Sequence, residues 1–292
     1  MRRLLFLIFA LLAIVYCAGC TGNIDKQNND FQKESYVAQD ARGKKLSFEA
    51  KPQRIVSLYI YGDEVLLGLV NHKRIAGLSK WVHDKDLSMA TEEAKDVKQI
   101  AANTPEAVLA LKPDLVLIPS SFKMEQIRAL EDLGVKVFVY PSASRIRNIP
   151  DSIRAIGSAV GEKKQAEKLI ADMQQRISAV EEKAKEIAPE KRKRALLFLR
   201  LGAIGGKGII FNDIMTAAGV EDCYDFGRSN YLNQDGKSRI LSKEEVVQAN
   251  PDYIIVGTWS MGGSDKAGDV LLEELYSDPA LATVTAVRKK QG

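Results

Sequence analysis

One stretch of this chain occurs twice, and the repetition limits what the chain can fold into. The first copy reads Pro105-Glu106-Ala107-Val108-Leu109-Ala110-Leu111-Lys112-Pro113-Asp114-Leu115-Val116-Leu117-Ile118. The second reads Lys243-Glu244-Glu245-Val246-Val247-Gln248-Ala249-Asn250-Pro251-Asp252-Tyr253-Ile254-Ile255-Val256. In each, a glutamate opens a short amphipathic stretch, a Pro-Asp closes it, and an apolar strand follows. The glutamate and the proline are seven residues apart in both copies. A segment repeated at this distance predicts two similar lobes, each presenting one carboxylate in the first turn of a helix. Unpaired amides and the helix dipole stabilise a negative charge there. Either glutamate alone is also an ordinary first-turn residue; as a matched pair they point to a shared docking role.

Periodicity along the chain extends this expectation. Residues 36–48 alternate around Asp40-Ala41-Arg42-Gly43, a hairpin signal. Short apolar strands over 54–58, 74–78, 115–118 and 135–140 alternate with helices over 63–70, 104–111 and 123–133. Thr104 is the expected N-cap of the second helix, with Pro105 at its first position. Such alternation predicts a parallel sheet with helices on both faces. From Ile149 to Ile187 apolar residues recur every three or four positions, with Gly157 and Gly161 as a weak point. One long helix is expected over 163–187, ended by Pro189, as a rigid connector. Strands recur at 195–199 and 253–256, with Ser242 capping the second glutamate helix. The glycine-rich 202–208 stretch fits neither phosphate-binding spacing and leads into a helix over 209–218. The fold class expected is α/β: two Rossmann-like lobes with mostly parallel sheets, joined by one long α-helix. The second lobe lacks a counterpart of the 135–140 strand, so the C-terminus reads as truncated.

The N-terminus has its own logic. Arg2 and Arg3 precede an apolar run from Leu4 to Val15, followed by Cys17-Ala18-Gly19-Cys20. This is a signal peptide whose apolar run is too short to span a bilayer as a mature helix. Its Ala-Gly-Cys ending resembles a bacterial lipobox, in which Cys20 is lipidated and the chain is cut before it; Cys17 stands where leucine is usual. The expected division is a lipoprotein signal over 1–19, a polar flexible tether over 20–35, an N-terminal lobe over 36–142, a connecting helix over 143–190 and an incomplete C-terminal lobe over 191–292. Export and lipid anchoring place the chain at the cell membrane, in the periplasm or on the outer cell surface. Cys223 is the one cysteine left, so no intrachain disulfide supports the mature fold. The formal charge is +4, and Arg2 and Arg3 leave with the signal, which excludes a nucleic-acid footprint.

Catalytic constellations are missing from the sequence. With only His72 and His83, no three-histidine metal cage can be built. No nucleophile elbow, HExxH or Cys–His pairing is present, and the chain does not read as an enzyme. The candidates are aromatic and polar residues at the carboxyl ends of the expected strands, where α/β sheets bind ligands. In the first lobe these are Tyr59, Tyr61, Trp81, Ser121 and Phe122; in the second, Arg200, Trp259 and Met261. Flat aromatic faces with one guanidinium suit a large ligand held between lobes. His83, beside Trp81, either lines this cleft or is an axial ligand for a haem iron. Each aromatic has edge packing of its own lobe as the alternative.

These features resemble the class III periplasmic substrate-binding proteins of ABC transporters, which carry iron–siderophore complexes, vitamin B12 or haem. The marks are Asp40-x-x-Gly43, Lys51-Pro52-x-Arg54-Ile55-Val56-Ser57-Leu58, Glu106 through Leu111-Lys112-Pro113-Asp114-Leu115-Val116, Leu133-Gly134-Val135-Lys136-Val137, the long central helix, and Ser242-x-Glu244 through Pro251-Asp252. The resemblance runs from about Tyr36 to the end. It implies two lobes on a rigid helix that move little on binding. It also implies that Glu106 and Glu244 dock against arginines of a membrane permease that works with an ATPase. No intrinsic cofactor is implied; the ligand is a ferric siderophore first, then a corrinoid or haem. The expected protein is a monomer. The segment Tyr59-Ile60-Tyr61-Gly62-Asp63-Glu64 departs from the commoner Ser/Pro/Ala-rich version. A sensor or scaffold lipoprotein on the same fold is the alternative of a different class.

Overall fold

The computed structural model describes residues 35–97, 99–200, 202–205, 209–223, 239–257 and 267–290. Strands β1 (Tyr36–Gln39) and β2 (Lys45–Phe48) form an antiparallel hairpin. Its turn is held by the buried Asp40 carboxylate, which accepts the amides of Arg42 at 2.9 Å and Lys44 at 3.0 Å.

The first lobe follows. Strand β3 (Ile55–Ser57) leads into α1 (Ile60–Leu69) and then β4 (Ile75–Gly77). Helix α2 (Pro105–Ala110) precedes β5 (Leu115–Pro119), and α3 (Met124–Glu131) precedes β6 (Val137–Tyr140). The four strands are parallel, in the order β4-β3-β5-β6. Side-chain alternation divides each strand between two cores. Ile55, Leu115, Leu117, Phe138 and Tyr140 pack with Leu66 of α1. Val56, Val116, Ile118, Val137 and Val139 pack with Val108 of α2 and Ile127 of α3. Both faces are therefore buried, which explains why these strands read as continuous apolar runs.

Two helices leave this lobe, α4 (Ile149–Val160) and α5 (Lys163–Lys185). Gly161, at φ 75°, makes the turn between them, and a Cβ there would lie 2.8 Å from Lys51 Cγ. All of α4 and the start of α5 belong to the first lobe, since Ile153, Ile156, Val160, Ala166 and Ile170 join its core. From residue 171 to residue 183 no side chain of α5 is buried. Ala184 is buried again, against Gly219 of the second lobe, where an added Cβ would stand 3.0 Å from the Ala184 Cβ. Between Ile170 and Ala184, about 21 Å along the helix, only Met173, against the first core, and Ile177 are partly covered, and the other side chains face solvent, a largely solvent-bridging strut.

In the second lobe, β7 (Arg194–Leu199) is followed by β8 (Gly202–Gly205), α6 (Ile210–Ala217), β9 (Glu221–Asp222) and β10 (Arg239–Ile240). Then come α7 (Lys243–Ala249), β11 (Tyr253–Gly257), α8 (Ala267–Ser277) and α9 (Thr285–Arg288). Strand β7 pairs parallel with β9 and β11 and antiparallel with β8, and β10 pairs antiparallel with β8 at the far side. In the β7–β8 hairpin Leu199 lies opposite Gly202. Sequence reading placed a glycine-rich loop here. The backbone of Gly202–Gly205 pairs because β7 offers it an edge, which outweighs the low strand propensity of glycine.

The repeated segment acquires a structural cause. In the first lobe, Asp114 donates its amide to the Arg54 carbonyl at 3.0 Å, and its carboxylate accepts the amides of Arg54 at 3.0 Å and Gln53 at 2.6 Å. In the second, Asp252 donates to the Arg194 carbonyl at 2.9 Å and accepts the Arg194 amide at 3.0 Å. Each aspartate thus clamps the start of its lobe's first strand to the strand that follows the glutamate helix. Two residues before each clamp the chain passes through a left-handed residue, Lys112 at φ 48° and Asn250 at φ 42°. Replacing Asp114 by Ala is expected to cost about 1–2 kcal/mol, because two amides lose a charged acceptor at a site water reaches. Lys112→Gly is expected to gain up to about 1 kcal/mol, whereas Asn250→Gly is expected to lose stability, since asparagine already tolerates this conformation and its side chain accepts the Thr285 amide at 2.8 Å. Urea unfolding midpoints of the three variants check both statements.

Candidate functional site

A helix between two parallel strands runs antiparallel to them, so its N-terminus lies at their carboxyl edge. The start of α2, and with it Glu106, therefore borders the carboxyl edge of the first sheet. A cavity of about 240 Å³ makes the adjacency concrete, since Pro105 lines it with Leu58 after β3, Ile118 of β5 and Phe122 after β5. The start of α7 stands in the same relation to β11, whose Tyr253–Gly257 run parallel to β7.

Glu106 and Glu244 are both exposed. Thr104 caps α2 by accepting the Ala107 amide at 3.4 Å. Ser242 caps α7 with a full box: its hydroxyl accepts the Glu245 amide at 3.2 Å, and its amide donates to Glu245 Oε2 at 2.8 Å. The Glu244 carboxylate is held below its ordinary range, chiefly by its own backbone amide and then by the Ser242 hydroxyl. It is thus a secure anion at neutral pH.

The expected ligand residues fall into three groups. Tyr59, the N-cap of α1, is 37% exposed and meets Phe122 edge-on at 6.2 Å and 86°. Trp81 lies in a short 3-10 turn, Lys80–His83, after β4, half-buried with the Lys80 ammonium 4.3 Å over its ring. Because β3 and β4 are neighbours in the sheet, Tyr59 and Trp81 share one edge. Ser121 is exposed at the same edge; its amide donates to Ser142 Oγ at 3.1 Å, while the Ser142 amide donates to Ser120 Oγ at 3.0 Å. This exchange ties the end of β5 to the end of β6. Arg200 is exposed in the β7–β8 turn.

Tyr61 is placed differently. As the second residue of α1, it packs against the first core and its hydroxyl donates to the Ile149 carbonyl at 3.3 Å, at the start of α4. Burial pushes its pKa up to about 12. Tyr61 anchors the helix to the connecting segment, and the two-residue spacing from Tyr59 turns the two rings to different sides of the helix start. Trp259 and Met261 lie outside the described residues, as do Cys20 and the tether.

His83 has its Nε2 buried with no hydrogen-bond partner, so that nitrogen does not open toward the sheet edge. His72 is elsewhere, with Nδ1 3.4 Å from Asp96 Oδ2. Among the described residues no group of three or more His, Cys, Asp or Glu side chains is arranged to hold a metal ion. One polar cluster escaped sequence reading: Asp63, Ser57 and Ser79, all fully or almost fully buried beneath Tyr59 and Trp81. The only sequence signal was that an aspartate sits inside an otherwise apolar helical face.

With this geometry in place, comparison with known proteins is informative. The periplasmic binding protein family matches residues 55–291. The uncharacterized ABC transporter substrate-binding lipoprotein YvrC of Bacillus subtilis (strain 168) is 25% identical over 255 residues, covering 84% of this chain and 77% of its own length. The cobalamin-binding protein of Halobacterium salinarum (strain ATCC 29341 / DSM 671 / R1) is 24% identical over 221 residues, covering 75% of this chain and 57% of its own length. Among solved structures, a possible iron-binding periplasmic solute-binding protein from Staphylococcus epidermidis ATCC 12228 has the same fold. It superposes with a TM-score of 0.63 at 24% identity, over 82% of this chain and 88% of that one.

The capping geometry yields one prediction. Ser242→Ala is expected to cost about 1 kcal/mol of stability and to let Glu244 titrate closer to its ordinary value. A depressed carboxylate pKa stabilises the fold above the unfolded value and ceases to do so as pH falls, so the stability gap between variant and parent should narrow in acid, and the variant's acid unfolding should begin no later than the parent's. Chemical denaturation and carboxyl-carbon NMR titration check the two parts.

Proposed function

We infer that this chain, which belongs to the periplasmic binding protein family and is the substrate-binding component of an ABC importer, captures a metal chelate between its lobes while a lipid on Cys20 holds it at the membrane. It binds and delivers; it does not catalyse. The observation that carries the docking part of the reading is the pair of exposed glutamates, each in the first turn of a helix that ends at the same aspartate clamp. Both helices start at the carboxyl edge of their sheets. A permease gripping these two carboxylates therefore faces the edge where Tyr59, Trp81 and Arg200 stand, and receives the ligand without the protein turning over.

The chemistry of that edge favours a ferric siderophore. A siderophore brings the full ligand set of its iron and asks the protein only for aromatic faces and a cationic partner. Haem asks for an axial donor, and the Nε2 of His83 is enclosed. A corrinoid is the second reading, supported by the cobalamin-binding relative. Trp259 and Met261 are proposed as the second lobe's ligand contacts, complementing Tyr59, Trp81, Ser121 and Phe122 of the first.

Two experiments test this. Purified protein incubated with ferrioxamine B, cyanocobalamin or hemin and passed through gel filtration is expected to retain the ferric hydroxamate band. Retention of only the corrinoid or haem spectrum reverses the ligand order. Trp259→Ala is expected to weaken binding by about 1–3 kcal/mol. In the second experiment Glu106 and Glu244 are both replaced by Ala. Ligand affinity and folding should be unchanged, while uptake through the reconstituted importer falls by about tenfold or more and the parent's docking weakens with salt. Normal uptake would return both residues to ordinary helix-start positions; lost ligand affinity would place them in the cleft instead.

A further inference from the structure

Asp63, on α1, has no solvent exposure, and nothing in ligand capture or docking so far uses it. Its Oδ2 accepts two hydrogen bonds from a single residue: the Ser79 amide at 3.1 Å and the Ser79 hydroxyl at 2.5 Å. Ser79 is the N-cap of the 3-10 turn that carries Trp81. Asp63 itself donates its amide to the Tyr59 carbonyl at 3.0 Å. One carboxyl group thus joins the end of β4 to the start of α1, and with them the two aromatic residues at the first lobe's edge.

The other oxygen has a different environment. Asp63 Oδ1 is buried with no hydrogen-bond partner, and so is the hydroxyl of Tyr140. Gly62, the residue before Asp63, is packed closely on the same groups: a Cβ there would lie 2.7 Å from the Tyr140 hydroxyl and 2.8 Å from Ser57 Oγ. The titratable groups around the site come from every element packed on it. From β3 there is the neutral Ser57; from α1, Tyr59, Tyr61 and Glu64; from β6, Tyr140; from the 3-10 turn, His83 and Lys80. Glu64 is spent on Ser88 Oγ at 2.7 Å and the Met89 amide at 3.3 Å, and its charge opposes a second anion nearby. Lys80 lies over the Trp81 ring, exposed. No cation is among the groups that act on Asp63.

We propose that Asp63 is a positioning residue for the cleft, which in its neutral form pins the Trp81 turn to the helix start of Tyr59 and on ionising loosens that pin. This rests on the reading of Tyr59 and Trp81 as ligand contacts. Because Oδ2 already accepts both Ser79 donors, the acid proton belongs on Oδ1. Removing it leaves a charge on a buried oxygen that has no hydrogen-bond partner in this geometry and, among the described residues, no cation acting on it; the Ser57 hydroxyl offsets the charge only in part. The charge is relieved by admitting water, which requires α1 and the turn to part. Burial pushes the Asp63 pKa up to about 7, offset in part by the Ser57 and Ser79 donors. A carboxyl group whose folded pKa is raised contributes stability that is present below its unfolded value, near pH 4, and is lost as pH rises through about 7. The edge is therefore tightest in acid-to-neutral conditions.

The test uses the whole chain with Trp259→Phe, which leaves Trp81 as its one tryptophan. Trp81 emission is followed from pH 5 to pH 9. A single-proton step near neutrality is expected. Asp63→Asn, which keeps an oxygen for both Ser79 donors but cannot ionise, should abolish the step. Ser79→Ala, which removes only the hydroxyl donor, should move it to higher pH. His83→Gln should leave it in place. A step that survives in Asp63→Asn, stays unmoved in Ser79→Ala, or vanishes in His83→Gln overturns the proposal, as does the absence of any step in the parent. The cleft reading is separated by titrating ferrioxamine B and cyanocobalamin into Tyr59→Ala and Trp81→Ala at pH 6. Unchanged affinity for both probes overturns that reading, and with it Asp63's part in binding, even where the emission step follows Asp63 as described.

Discussion

In each lobe a single aspartate decides where the glutamate helix stands. Asp114 and Asp252 exchange backbone and side-chain hydrogen bonds with the residue that opens the first strand, Arg54 and Arg194. The helix is short in both cases, six residues in α2 and seven in α7, too short to hold itself in water. Its position comes from its ends. At the N-terminus a hydroxyl caps it; at the C-terminus a left-handed residue turns the chain into the clamp. In the first lobe Arg54 adds to this, since its guanidinium donates to the carbonyls of Leu111 at 2.5 Å and Lys112 at 2.9 Å. A carboxylate on such a helix is aimed by the sheet beneath it, and this makes two separated glutamates usable as a pair.

The spacing of the pair depends on what joins the lobes. Helix α5 begins in the first core at Ala166 and Ile170 and ends against Gly219 at Ala184. The middle contributes little burial, only through the half-buried Met173 and Ile177, so its straightness rests mainly on backbone hydrogen bonds and on contacts at its two ends. A second tie closes the frame. Arg145, just before α4, donates from Nε to both carboxylate oxygens of Asp213 on α6, at 2.8 and 2.9 Å, and the Ile146 amide adds a third bond at 2.8 Å. Arg145 holds the Asp213 carboxylate below its ordinary range, so the tie is intact at neutral pH and weakens as the medium becomes strongly acid. Two attachments, one helical and one ionic, resist both hinge opening and twist.

Much of this was legible in the sequence, and the exceptions share a cause. The Pro-Asp repeat and the period of residues 163–187 were readable because each is local: a turn signal and a helical stripe. The buried strands of the first lobe were readable because both faces are covered and the residues are apolar in runs. Strand β8 was not readable, since its four residues pair only because β7 is already there. Tyr61 resembled Tyr59 in the sequence, yet two residues around a helix start separate an exposed ring from one anchored to Ile149. The Asp213–Arg145 and Asp63–Ser79 pairs span 68 and 16 residues. Nothing local distinguishes either aspartate from a solvated one.

The position of the site follows from the same constraint that places the glutamates. In a βα unit the helix N-terminus and the carboxyl end of the preceding strand necessarily face the same way. Under the proposed function, anion-bearing helix starts and ligand-contacting strand ends share an edge in each lobe, and the strut fixes the spacing between the two edges. A membrane partner that recognises the carboxylates meets the ligand in the same encounter. Under that reading, release is driven by what the partner does to the two anchored edges, where the Asp63–Ser79 bonds and the Ser120–Ser142 exchange hold the loops that carry the proposed ligand contacts.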